Sequence, residues 1–180
     1  ASASLNIGAN LVFKDDAPSI STTGQEPVLT VDETNLAANA SASFAANFSS
    51  SFGADGAGTL AYALSITGGN GTDSGLVDTA SGNHVFLFLE AGQVVGREGT
   101  NAGTAAAGPI VFTVSVDGSG NVALDQVRAI VHTPDTGPDQ SATMSDGLIH
   151  LNATITDADG DSASASLNIG ANLVFKDDAP

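Results

Sequence analysis

The sequence predicts an all-β fold, an antiparallel β-sandwich. Three observations carry that expectation. Apolar residues alternate with small polar ones at period two, Gly-rich turns separate the alternating runs, and no amphipathic helix of more than two turns stands out. With 180 residues, 42% of them apolar, the chain can bury a real core.

The strands follow in chain order. After a short run at 28–31, the segment SFAANFSSSF (43–52) spaces Phe44, Phe48 and Phe52 to share one strand face. Spacing by four also suits a helix, but the Ser and Asn content favours a strand. In TLAYALSIT (59–67), Leu60, Tyr62, Leu64 and Ile66 share a face, with Ala61, Ala63 and Ser65 opposite. HVFLFLE (84–90) and QVVGRE (93–98) flank Ala91-Gly92, which reads as a tight hairpin. IVFTVSV (110–116) turns through DGSGN (117–121) into VAL (122–124), and residues 124–132 could form a short helix. LIHLNATIT (148–156) enters TDADGDS (156–162) and returns through SASASLNIGANLVF (162–175), with Gly170 as a candidate bulge. Many short strands with Gly-rich turns suggest an immunoglobulin-like or cadherin-like module. With no Cys and no Trp, the disulfide-and-Trp signature of antibody domains is absent.

Residues 1–18, ASASLNIGANLVFKDDAP, recur without change at 163–180, an offset of 163 − 1 = 162. Such identity implies recent duplication, so the expected parent is a tandem array of 162-residue units. Solenoid units run about 20–50 residues, so a unit this long is a self-sufficient domain on a string. On this reading residues 1–18 are the last strand and linker of a preceding repeat. Residues 19–176 are one β-sandwich unit, and 177–180 lead to the next. The opening ASASLNIG reads as the interior of a longer chain, with no signal peptide.

Twenty acids against four bases (Lys14, Arg97, Arg128 and Lys176) give a net charge of −16. That charge argues against partnership with nucleic acid or anionic lipid, and no apolar run is long enough to span a membrane. The absence of Cys removes thiol catalysis and Cys-based zinc sites. No H-E-x-x-H, G-x-S-x-G or Walker loop occurs, and no enzyme is expected. The histidines are His84, His132 and His150, the last on a strand face opposite Ile149 and Leu151.

So many carboxylates either form a solvated, anti-aggregating surface or hold hard cations. In DADGD, Asp157, Asp159 and Asp161 alternate on one turn around Gly160. Ca²⁺ accepts six to eight oxygen ligands, loop carbonyls included, and relieves the repulsion of such a turn. A plain acidic turn is the alternative, because the Glu that completes an EF-hand is missing. Two further clusters are Asp15-Asp16, repeated as Asp177-Asp178, and Asp32-Glu33. Twelve extended residues span about 40 Å, so the DADGD turn and the outgoing linker should lie at opposite ends. The turn should then meet the incoming linker, where Asp15, Asp16, Asp157, Asp159 and Asp161 would share one or two Ca²⁺ ions. Asp177 and Asp178 would act likewise with the next repeat, and Asp32 and Glu33 are weaker candidates. GGNGTD (68–73) matches the start of a calcium-binding nonapeptide, but a single copy reads as a loop. Asp117, Asp135, Asp139 and Asp146 lie in turns, and most of them are expected to be solvated.

Five segments together resemble the repeats of RTX adhesins, large bacterial surface proteins exported by type I secretion. They are F-K-D-D-A-P at both boundaries, L-T-V-D-E-T-N-L (29–36), G-T-D-S-G-L-V (71–77), V-F-L-F-L-E-A-G-Q-V-V-G-R (85–97) and T-D-A-D-G-D-S-A (156–163). The resemblance implies a secreted, cell-surface extender with Ca²⁺ along the array and a role in attachment and biofilm formation. It implies junction ligands at Asp15, Asp16, Asp157, Asp159 and Asp161. The expected partners are adjacent copies in the same chain, in an otherwise monomeric protein, with a surface glycan or protein met by a distal region. The rival reading is a repeat that itself binds a glycan or peptide through a loop such as 97–109 or 133–147.

Overall fold

The computed structural model describes residues 1–134, 137 and 139–178. The strands are β1 (Ser19–Thr22), β2 (Leu29–Asp32), β3 (Ala40–Ser43), β4 (Phe48–Ser51), β5 (Thr59–Ile66), β6 (Thr72–Val77) and β7 (His84–Glu90). They continue with β8 (Gln93–Gly99), β9 (Ile110–Val116), β10 (Asn121–Gln126), β11 (Ser141–Thr143), β12 (Ile149–Thr156), β13 (Ser162–Asn168) and β14 (Leu173–Lys176). The one α-helical segment among the described residues is the single turn α1 (Ala102–Ala105), closed by a capping box between Asn101 and Thr104.

One layer is a six-stranded sheet in the order β3-β10-β9-β8-β7-β6. Facing it are the sheets β13-β12-β5 and β11-β14-β2, with the ribbon β1-β4 packed beside β13. Among the described residues, every strand pairing is antiparallel except β14 with β2. The fold is thus all-β and sandwich-like, as the alternation predicts. In β12 the odd positions Ile149, Leu151, Ala153 and Ile155 are buried, while His150 on the other face bonds Thr67 Oγ1 at 2.6 Å. Phe112 of β9 and Phe175 of β14 meet across the layers with ring centroids 5.1 Å apart, and both are fully buried.

The β7–β8 hairpin is where the sequence places it, with Glu90 opposite Gln93. Ala91 and Gly92 both take the left-handed conformation (φ 48° and 82°) that a two-residue hairpin requires. The β9–β10 hairpin also forms at Asp117–Asn121, where Asp117 Oδ1 accepts from the N–H groups of Ser119 and Asn121.

Three expectations are corrected. Residues 43–52 are not one strand. A 3₁₀ turn at Ala45–Asn47 sends β3 and β4 into different sheets, burying Phe44 and Phe48 and leaving Phe52 half-buried. Residues 124–132 form no helix: β10 runs to Gln126, and the chain then crosses as an irregular segment bridged at Asp78–Ile130. The final run 162–175 is not one continuous strand either. Gly170 starts a 3₁₀ turn (Gly170–Asn172) that hands the chain from the β12 sheet to the β2 sheet. A side chain at Gly170 would collide with the carbonyl of Ser145, so the close approach of two backbones, not a bulge, explains this glycine.

The repeated segment behaves differently in its two copies. Gly8–Asn10 forms the same 3₁₀ turn as Gly170–Asn172, yet residues 1–13 join no sheet. Phe13 is 94% exposed and its counterpart Phe175 0%; Leu5 is 84% exposed and Leu167 6%.

Candidate metal centres at the two ends of the domain

The β13–β14 run has an acidic cluster at each end. At its start, the turn between β12 and β13 is closed by an Asp157 N–H to Asp161 carbonyl bond of 3.0 Å. Asp157 Oδ1 also accepts from the N–H groups of Gly160 (3.0 Å) and Asp161 (2.8 Å). These bonds orient the carboxylate of Asp157, a residue only 4% exposed, and leave its Oδ2 buried with no hydrogen-bond partner among the described residues.

The loop between β4 and β5 lies directly against this turn. A side chain at Gly58 would strike the carbonyl oxygens of Thr156 and Asp157, so only glycine allows the approach. The loop carries Asp55, whose Oδ2 is likewise buried and unpartnered. Its Ala54 N–H donates to Asp16 Oδ2 at 2.9 Å, fastening the incoming linker to the domain. As a result, carboxylate oxygens of Asp15, Asp55 and Asp159 lie within 4.8 Å of one another. The crowding shows in the acidities of the 157–161 turn. Asp159 is pushed up to about 6, first by its contact with the Asp157 carboxyl, then by desolvation and by the charge of Asp15. Asp161 is raised chiefly by its contact with Asp15. Desolvation opposes ionisation of Asp157, but its contact with the Asp159 carboxyl and the N–H groups of Gly160 and Asp161 hold it below the usual carboxylate range.

The meeting of the incoming linker with the DADGD turn is the arrangement that topology predicts from sequence. Asp15 and Asp159 enter the three-carboxylate group directly, Asp161 contacts Asp15, and Asp16 instead anchors the loop. Asp55 is the member that sequence reasoning missed. Its only signal is an isolated acid in the Gly-rich stretch 53–58.

At the other end, β2 alternates so that Leu29 and Val31 point inward and Thr30 and Asp32 outward. Asp32 accepts from Thr34 N–H at 2.9 Å, capping the 3₁₀ turn Glu33–Asn35, and its bonds with Thr34 hold its carboxyl below the usual carboxylate range. Asp32 therefore joins neither cluster. Glu33 turns inward, its side chain 6% exposed. Its Oε1 accepts from Gln126 Nε2 (2.9 Å) and from Ile130 N–H (2.8 Å), and it lies 3.1 Å from His132 Nε2. Asp177 completes a group in which one donor atom each from Glu33, His132 and Asp177 lies within 4.8 Å of the others. A cavity of about 440 Å³ opens beside it, lined also by Asp178, Thr79 and Ile130. His132 was not a ligand candidate from sequence, since 99 residues separate it from Glu33 and no spacing signals the pair.

Other acids singled out in the sequence bond to a turn or to a basic side chain, and Asp146 is exposed. Asp73 Oδ2 lies 2.7 Å from His84 Nδ1, at the start of a strand, so GGNGTD is a turn and not a nonapeptide repeat. Asp139 pairs with Lys176 at 2.7 Å, Asp117 caps its hairpin, and Asp146 opens a 3₁₀ turn. Asp135 lies outside the described residues.

The molecule is thus an all-β, sandwich-like domain with a group of acidic side chains near each linker, one of them including His132. The chain belongs to the family described as a domain of unknown function (DUF5801), which it matches over residues 28–170. That span takes in Glu33, Asp55, His132 and the 157–161 turn, but stops short of the linker acids at both ends. No curated protein and no solved structure matches the chain.

Proposed function

We propose that this chain is a calcium-stabilised spacer repeat of a secreted bacterial cell-surface adhesin of the RTX type. Its work is mechanical rather than catalytic: it projects a distal binding region for attachment and biofilm formation. The observation that carries the reading is the convergence of Asp15, from the incoming linker, with Asp55 and Asp159 of the domain. Every donor there is a carboxylate oxygen, which suits a hard cation such as Ca²⁺. The unpartnered buried oxygens of Asp55 and Asp157 fit the same ion, because a buried carboxylate oxygen without a donor is costly unless a cation compensates it.

The duplicated segment supports the tandem arrangement. Leu5, Ile7, Leu11 and Phe13 are exposed here, while their counterparts Leu167, Ile169, Leu173 and Phe175 are core residues. Residues 1–13 are read as the closing strands of the repeat before, and Asp15-Asp16 as the linker between two beads. A cation shared between linker and domain restricts the bending that a free linker allows, and its binding free energy adds to folding.

The test uses a protein of several tandem repeats. Chelation with EGTA should lower the melting temperature and reduce the maximum dimension in small-angle scattering, and Ca²⁺ should restore both. Identical melting and scattering profiles with and without chelator would exclude the mechanism.

A further inference from the structure

We propose that Glu33, His132 and Asp177 form a second metal site, selective for a borderline divalent transition metal such as Zn²⁺ over Ca²⁺. The donor set separates this site from the all-carboxylate cluster. It combines one imidazole with two carboxylates, and their donor atoms lie within 4.8 Å of one another. Imidazole is a ligand for zinc and its neighbours in the transition series, whereas Ca²⁺ takes oxygen.

The state of His132 is the independent observation. Its side chain is 3% exposed, and among the described residues its one hydrogen-bond contact is Nε2 to Glu33 Oε1, while Nδ1 is buried with no partner. A ring nitrogen buried without a partner costs free energy, and an ion bound by the imidazole relieves it. The three hydrogen-bond contacts of Glu33 converge on Oε1, held by Gln126, Ile130 and His132, so the carboxylate is fixed while Oε2 takes none of them. Asp177 comes from the half-buried start of the outgoing linker, and Asp178 lines the adjoining cavity. A bound ion would therefore tie the linker to β2 and to the segment after β10. This inference does not depend on calcium at the other end.

The experiment titrates Zn²⁺ into the 180-residue protein in Ca²⁺-saturated buffer, by calorimetry and by visible absorption with Co²⁺ as the spectroscopic substitute. One Zn²⁺ per chain is expected. His132→Gln and Asp177→Asn should each weaken binding at least tenfold. His84→Gln, which alters the surface pair with Asp73, and Asp159→Asn should leave it unchanged. Should His132→Gln fail to fold, Asp177→Asn and the ¹⁵N imidazole resonances of the wild-type protein carry the test. No zinc uptake, uptake abolished by His84→Gln, or His132 resonances unmoved by zinc overturns the proposal. A separate Ca²⁺ titration of Asp159→Asn reads the other end, so a protein that takes zinc but no calcium keeps this site and loses the spacer mechanism.

Discussion

At the scale of single residues, the most depressed carboxylate belongs to neither acidic group, although Asp78 pairs with Ile130, whose N–H bonds Glu33. The Asp78 side chain is 0% exposed and is gripped by Arg128 through Nε and Nη2, each at 2.8 Å, with further bonds from Ser81. Its hydrogen bonds with Arg128, outweighing the cost of burial, hold it down to about 2. A carboxylate depressed in the folded state stabilises above its unfolded value near 3.8, and the benefit is lost as pH falls through about 2. Arg128→Met strands a buried charge and should cost about 3–5 kcal/mol in urea denaturation. Adding Asp78→Asn to that variant should recover part of the loss. Neither partner was legible as a pair, because 50 residues separate them and an isolated Arg in sequence does not name its acid.

At the scale of elements, the duplicated segment provides an internal control. Residues 11–14 and 173–176 have identical sequence, but the second copy is β14, inserted between β2 and β11, and the first is exposed chain. Phe175→Ala removes a ring packed on Phe112 and should destabilise the 180-residue protein by about 3–5 kcal/mol. Phe13→Ala, the same substitution at the same repeat position, should change stability by less than about 0.5 kcal/mol. Equal effects of the two substitutions in thermal and chemical melts would show that residues 1–13 are packed. The 3₁₀ turns at Gly8–Asn10 and Gly170–Asn172 survive in both settings. So do the Asp16 N–H and Asp178 N–H bonds to the preceding Asp side chains, at 3.1 and 3.0 Å. These are properties of local sequence. Strand membership is not, because a strand needs a neighbour to accept its N–H groups.

At the scale of the whole molecule, charge and cation binding are coupled. Asp159, raised to about 6, and Asp161, also raised, bind protons more tightly in the folded chain than in the unfolded one. For such groups the stabilising contribution is present below about pH 4 and is lost as pH rises through the folded value. Metal-free protein should therefore melt at a higher temperature at pH 5 than at pH 7. Calcium competes with those protons, so it should raise the melting temperature more at pH 7 and flatten the pH profile. A metal-free melting temperature that climbs from pH 5 to pH 7 would contradict this account of the cluster.

What the sequence determined by itself is whatever short-range periodicity can encode. The alternation in 59–66 and 149–156, the Ala91-Gly92 and Asp117–Asn121 hairpins and the acidic turn at 157–161 all appear where the pattern places them. The exact duplication of 1–18 also joined the incoming linker to that turn, through strand direction alone. Tertiary structure decided which distant partners complete each cluster: Asp55 beside Asp159, and His132 beside Glu33. It also decided that 162–175 changes sheets at Gly170. The reason is physical. Hydrogen bonds within a turn and the period of a pleat depend on neighbours in sequence, whereas the approach of two loops depends on how sheets stack and on which backbones touch.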